Sequence, residues 1–168
     1  SDFGVWIGPR GGYNFFGSLA DILTKSGTGS KSGGSIDVAD ATYVQKFEEM
    51  AINWMHDYGV NYWKWDGFAD VAQYNAFPSG EGVVGYSEEH RHMYGGQNQM
   101  YHVTDLWEKW IVLMENVRQA EKDYNIKNLW ISLTCYVNPS PWFLQWANSV
   151  WLQCAGDRGE ISNGTLNN

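Results

Sequence analysis

Four short apolar runs alternate along the chain with amphipathic stripes, and this alternation restricts the fold more than any single residue does. The runs are "FGVWIG" (3–8), "VNYWKW" (60–65), "LWISLTCY" (129–136) and "SVWLQC" (149–154). They are rich in Trp, Val and Ile and bounded by Gly, Pro, Asn or Asp, so they read as buried strands. Near-continuous apolar runs suit parallel strands covered on both faces.

The segments between them have helical periodicity. From Ile36 to Tyr58, apolar residues fall at Val44, Phe47, Met50, Ala51, Trp54, Met55 and Tyr58, an i, i+3, i+4 stripe. Asp37 or Asp40 is placed to cap its start, and Gly59 follows its end. A second stripe runs from Asp105, its expected N-cap, to Tyr124 through Leu106, Trp107, Trp110, Ile111, Met114 and Val117. "SPWFLQWAN" (140–148) reads as a short helix with Ser140 as cap and Pro141 in the first turn. Strand, helix, strand, helix, strand, short helix, strand predicts right-handed βαβ units, hence an α/β fold with a parallel sheet.

Two segments interrupt the alternation. "KSGTGSKSGGS" (25–35) is Gly/Ser-rich and reads as a flexible surface loop. Residues 67–104 form a long irregular insertion after the second strand, and loops of that length are usually functional or disordered. The 168 residues suit a single domain, and the abrupt start "SDFGVWIGP" leads us to expect a piece of a longer protein.

The net charge of −8 argues against nucleic acid or an anionic membrane surface as partner, since both need clustered Lys and Arg. No apolar run approaches the ~18 residues of a membrane-spanning helix. Cys135 and Cys154 are too few for a disulfide scaffold and lack metal-ligand spacing. In "EEHRHMYGG" (88–96), His90 and His92 have alternating spacing that can bind zinc, but a solvated loop is the simpler explanation, and we expect no metal or other cofactor. Ten Trp and ten Tyr point to an aromatic core, some of which could line a cleft where flat faces pack on sugar rings.

The second run carries the chemistry. In "NYWKWDGFAD" (61–70), Lys64 and Asp66 stand among large aromatics. Successive strand residues point to opposite faces, so Tyr62, Lys64 and Asp66 share one face while Asn61, Trp63 and Trp65 share the other, under helices. A buried ion pair is seldom a net source of stability. Ligands of parallel α/β sheets bind beyond the carboxyl ends of the strands. Asp66 ends its strand, and polar residues cluster at the other strand ends: Arg10, Tyr136 with Asn138, and Asp157.

"YWKWDGF" (62–68) resembles the Lys-Trp-Asp strand of the melibiase-like α-galactosidases, retaining glycosidases of clan D and in particular glycoside hydrolase family 36. "FGVWIGPRGGY" (3–13) is similar to their third barrel strand, "NLWISLTCY" (128–136) to the fifth and "SVWLQCAGD" (149–157) to the sixth. The resemblance implies a (β/α)8 TIM barrel, present here as strands three to six. It implies Asp66 as catalytic nucleophile and Asp157 as acid/base. Lys64, Trp65, Arg10, Tyr136, Asn138 and His92 would contact a glycoside or oligosaccharide substrate. The chain departs from the family in two places: "WLQCAGD" (151–157) is three residues longer than the usual Trp-Thr-Ser-Asp, and "TCYVNPSPW" replaces a Cys-x-Gly-Gly-Gly stretch. A sibling activity is therefore expected.

Retaining glycosidases need two carboxyl groups about 5–5.5 Å apart, one attacking the anomeric carbon and one protonating the leaving oxygen. Two rivals remain. Lys64 could form a Schiff base, although a neighbouring carboxylate disfavours the neutral amine this needs. Alternatively, the chain is a non-catalytic, degenerate segment that binds glycans. A half-barrel would expose two strand edges, which predicts association through an edge and little hydrolysis by the segment alone.

Overall fold

A computed structural model describes residues 2–9, 16–32, 35–66, 100–134 and 141–151. Four parallel strands form the central sheet: β1 (Gly4–Ile7), β4 (Tyr62–Asp66), β5 (Trp130–Thr134) and β6 (Ser149–Val150), in the spatial order β1-β4-β5-β6. Spatial order thus follows chain order, and every neighbouring pair is parallel. The α/β class with a parallel sheet is as the sequence predicts.

Register fixes which side chains share a face. Val5, Trp63 and Ile131 form one row, and Ile7, Trp65, Leu133 and Val150 form the next. All seven belong to the core or pack against it. Two helices cover this face: α2 (Ala41–Tyr58) and α3 (Met100–Asp123). Phe47 of α2 meets Trp65 and Trp110 edge-on at 5.8 and 5.2 Å between ring centroids, and Trp54 stacks on Trp63 at 6.2 Å. Aromatic pairs in such geometries add to the stabilisation from burial alone.

Of the two candidate caps, Asp40 starts α2: its Oδ1 accepts the Tyr43 N–H at 2.9 Å. Asp37 instead accepts the Ala39 N–H within the preceding turn. Gly59 ends the helix at φ 68°, a left-handed conformation that a Cβ disfavours, and its N–H returns to Met55 O.

Several expectations need correction. A helix not anticipated, α1 (Phe16–Lys25), follows β1. The Gly/Ser-rich segment includes a small antiparallel pair, β2 (Lys31–Ser32) with β3 (Ser35–Ile36). Gly33-Gly34 between them is a sequence signal for a tight hairpin. Asp105 lies inside α3 rather than at its start, since Met100–Thr104 contains no Gly or Pro to stop the helix extending backwards. The short helix expected in "SPWFLQWAN" is present, as the 3-10 helix Pro141–Gln145. The strands are also not covered on both faces: among the described residues, α2 and α3 pack on one face of the sheet, while Trp6, Tyr62 and Trp130 on the other are exposed.

Side-chain bonds tie the strands together. Asn61 accepts the Phe3 N–H at 2.9 Å and donates to Asp2 Oδ1 and Lys127 O. Arg118 of α3 donates to Trp146 O and Leu129 O, and its Nη2 to Asn148 Oδ1. That carboxamide oxygen also accepts the Ile131 N–H, so Arg118 and Asn148 together fix where β6 and Trp151 begin.

Candidate active site

Among the described residues no helix covers the opposite face of the sheet, and Lys64 and Asp66 lie on it. Its first row is Gly4, Tyr62 and Trp130, and its second is Trp6, Lys64, Ser132 and Ser149. Asp66 stands one step further along, at the carboxyl end of β4 and beside Thr134 in register. The residues of "YWKWD" alternate as the sequence predicts: Trp63 and Trp65 are fully buried, Tyr62 is exposed, and Lys64 and Asp66 are partly accessible.

Gly4 allows this face to form. A Cβ there would come within 2.9 Å of the Tyr62 ring, so only glycine lets the ring lie across β1. Trp130 lies across toward β6 in the same layer, its Nε1–H reaching Ser149 Oγ at 3.3 Å.

Above this layer three side chains meet. Trp6 Nε1–H donates to Asp66 Oδ2 at 3.1 Å. Lys64 Nζ lies 3.9 Å from the centroid of the Trp6 ring and 4.0 Å from that of Trp151. The ammonium is thus held between two indoles, an arrangement favoured by the negative ring faces. Lys64 and Asp66 do not pair: no ion pair between them occurs among the described residues. A carboxylate can attack an electrophilic carbon or take a proton, an ammonium can donate to hydroxyls, and half-exposed indoles can stack on the apolar face of a sugar ring.

The structure divides the expected site residues into three groups. Asp66 and Lys64 come together on the open face. Trp65 does not belong with them: its ring is 0% exposed and packs against Phe47 and Trp110, so it supports the strand from beneath rather than facing a ligand. Asp157, Arg10, Tyr136, Asn138 and His92 lie outside the described residues, as do Cys135 and Cys154. Sequence reading missed Trp6 and Trp151. The signal for Trp6 was available, because Val5 and Ile7 claim one face of β1 and leave Trp6 to the other.

Among the described residues no group of three or more His, Cys, Asp or Glu side chains is placed to hold a metal ion, and no helix is long and apolar enough to cross a membrane. Comparison with family models, with curated proteins and with solved structures gave no match.

Proposed function

We propose that the chain is a four-strand portion of a (β/α)8 barrel from a retaining α-glycosidase related to the α-galactosidases. The observation that carries this reading is the place of Asp66: the carboxyl end of a parallel strand, on the face that no described helix covers, held by the Trp6 N–H and preceded two residues earlier by Lys64. The strand order supports the barrel. In β1-β4-β5-β6 each strand is added on the same side of the last, as in a sheet that closes on itself, whereas a doubly wound sheet reverses direction. Exposed Tyr62 and Trp130 then lie where the interior of a barrel is filled by opposing side chains.

In this reading the Asp66 carboxylate attacks the anomeric carbon of a terminal α-linked sugar and the glycosidic C–O bond breaks. A second carboxyl group, assigned to Asp157 by the family resemblance, gives its proton to the departing oxygen. Water then displaces Asp66 while the second group, now a carboxylate, takes a proton from that water, with retention of configuration. Lys64 donates hydrogen bonds to substrate hydroxyls, and the indoles of Trp6 and Trp151 flank the ring. The sheet's outer strands, β1 and β6, associate with further chain or a second copy.

The test is covalent labelling. A fluorinated, activated α-glycoside incubated with the longest natural protein carrying this segment should leave a sugar adduct on the peptide containing Asp66, and Asp66→Asn should abolish both adduct and turnover. Wild-type turnover by Asp66→Asn would overturn the assignment. The exposure of Trp130 and Trp151 also favours a second reading, a non-catalytic glycan-binding surface. Saturable oligosaccharide binding with no adduct would select it.

A further inference from the structure

Lys64 is a cation held in place without a counter-charge. Its ammonium lies 3.9 Å from the centroid of the Trp6 ring and 4.0 Å from that of Trp151, and among the described residues it forms no ion pair. Lys31 and Lys46 show the ordinary arrangement, each meeting a carboxylate, at 2.7 and 2.6 Å. The row that carries Lys64 supplies no anion: its other members are Trp6, Ser132 and Ser149. In a chain with 19 acidic and only 11 Lys and Arg side chains, an ammonium given to two ring faces is an exception.

Ring faces hold such a charge without neutralising it. They are electron-rich but carry no net charge, and they replace part of the water around the ammonium. The ammonium has three N–H donors, for which a ring face is a weak acceptor. It therefore gains more from an anion than from a hydroxyl, because a hydrogen bond between two ions adds Coulomb attraction.

We infer that Lys64 receives a negatively charged substituent of the ligand, a carboxylate or a sulfate ester carried on a sugar ring. The inference rests on the glycosidase reading for the sugar and names its class: an acidic rather than a neutral glycoside. The anomeric carbon faces Asp66, and the acidic group reaches toward Lys64, two residues nearer the amino end of β4.

The test is binding, with no turnover needed. Galactose, galacturonic acid and galactose 6-sulfate are titrated calorimetrically into the longest natural protein carrying this segment. At least one acidic sugar should bind on the order of tenfold tighter than galactose, and added salt should shrink that margin. A margin for galacturonic acid alone identifies a carboxylate; a margin for the sulfate alone identifies the ester. Lys64→Met keeps an apolar stem between the indoles and should abolish the preference, whereas Lys64→Arg should keep most of it. Galactose bound as tightly as both acidic sugars, no saturable binding of either acidic sugar, or a preference that survives Lys64→Met overturns the inference. The two readings fail separately. Labelling of Asp66 by a neutral inactivator with no acidic preference leaves the glycosidase and sinks the inference. An acidic preference that Lys64→Met removes, without labelling of Asp66, sinks the glycosidase and leaves Lys64 as the anion contact of a glycan-binding surface.

Discussion

The two faces of the central sheet are made by alternate residues of the same strands, yet they obey different rules. On the covered face, Trp63 and Trp65 lie fully buried beneath α2 and α3, with no polar partner for either indole N–H among the described residues. On the open face, the indole N–H groups of Trp6 and Trp130 donate to Asp66 and Ser149. The difference shows what tryptophan contributes in each place. Beneath the helices its area dominates, and the desolvated N–H is a cost outweighed by burial. On the open side its N–H and its ring face organise charged and polar neighbours.

The comparison breaks most readily at Trp65. Trp65→Ala should cost about 3–5 kcal/mol, the usual range for deleting a buried aromatic, in a urea melt followed by circular dichroism. A small loss would mean that the covered face is not the core. Asn61 is the polar exception on that side, buried and bonded to three partners. Asn61→Ala strands the Phe3 N–H and Lys127 O, with an expected cost of about 1–3 kcal/mol by the same measurement.

Tyr43, at the start of α2, sharpens the contrast through pH. Its buried hydroxyl donates to Pro9 O, and burial pushes its pKa above the ordinary tyrosine range. The unfolded chain therefore releases this proton first. Stability from Tyr43 is fully present below about pH 10, the unfolded value, and is lost as pH rises toward the folded value. Relative to Tyr43→Phe, the wild type should lose about 1.4 kcal/mol per pH unit in that window. Parallel curves for the two proteins would remove Tyr43 as the cause. The smallest effect belongs to the open face. Trp130→Ser, at a residue 45% exposed, should change stability by less than about 0.5 kcal/mol. A loss as large as that at Trp65 would show that the open face is core in its own right.

Sequence legibility also differed by region. The strands and α2 were readable because a helical stripe and Trp/Val/Ile-rich runs bounded by turn residues are local patterns. Helix α1 was missed although Phe16, Leu19, Ala20 and Leu23 have helical spacing, because Gly11, Gly12 and Asn14 just before it and Gly17 in its first turn are turn-forming residue types. The extension of α3 back to Met100 was missed because Asp105 imitates a cap. At the site, parity within one strand separated Lys64 and Asp66 from Trp65, yet Trp65 was still included as a ligand contact. Its burial excludes it.

The sequence alone determined the alternation of strands and helices and the two-residue spacing that puts Lys64 and Asp66 on one face, since both follow from backbone periodicity. It could not determine what Lys64 pairs with. That choice depends on Trp6, 58 positions earlier in the chain, and Trp151, 87 positions later, which approach only when β1 and β6 take their places in the sheet. The ammonium goes to two ring faces rather than to the nearest carboxylate in sequence because the weak energies involved are decided by which groups the fold brings within about 4 Å.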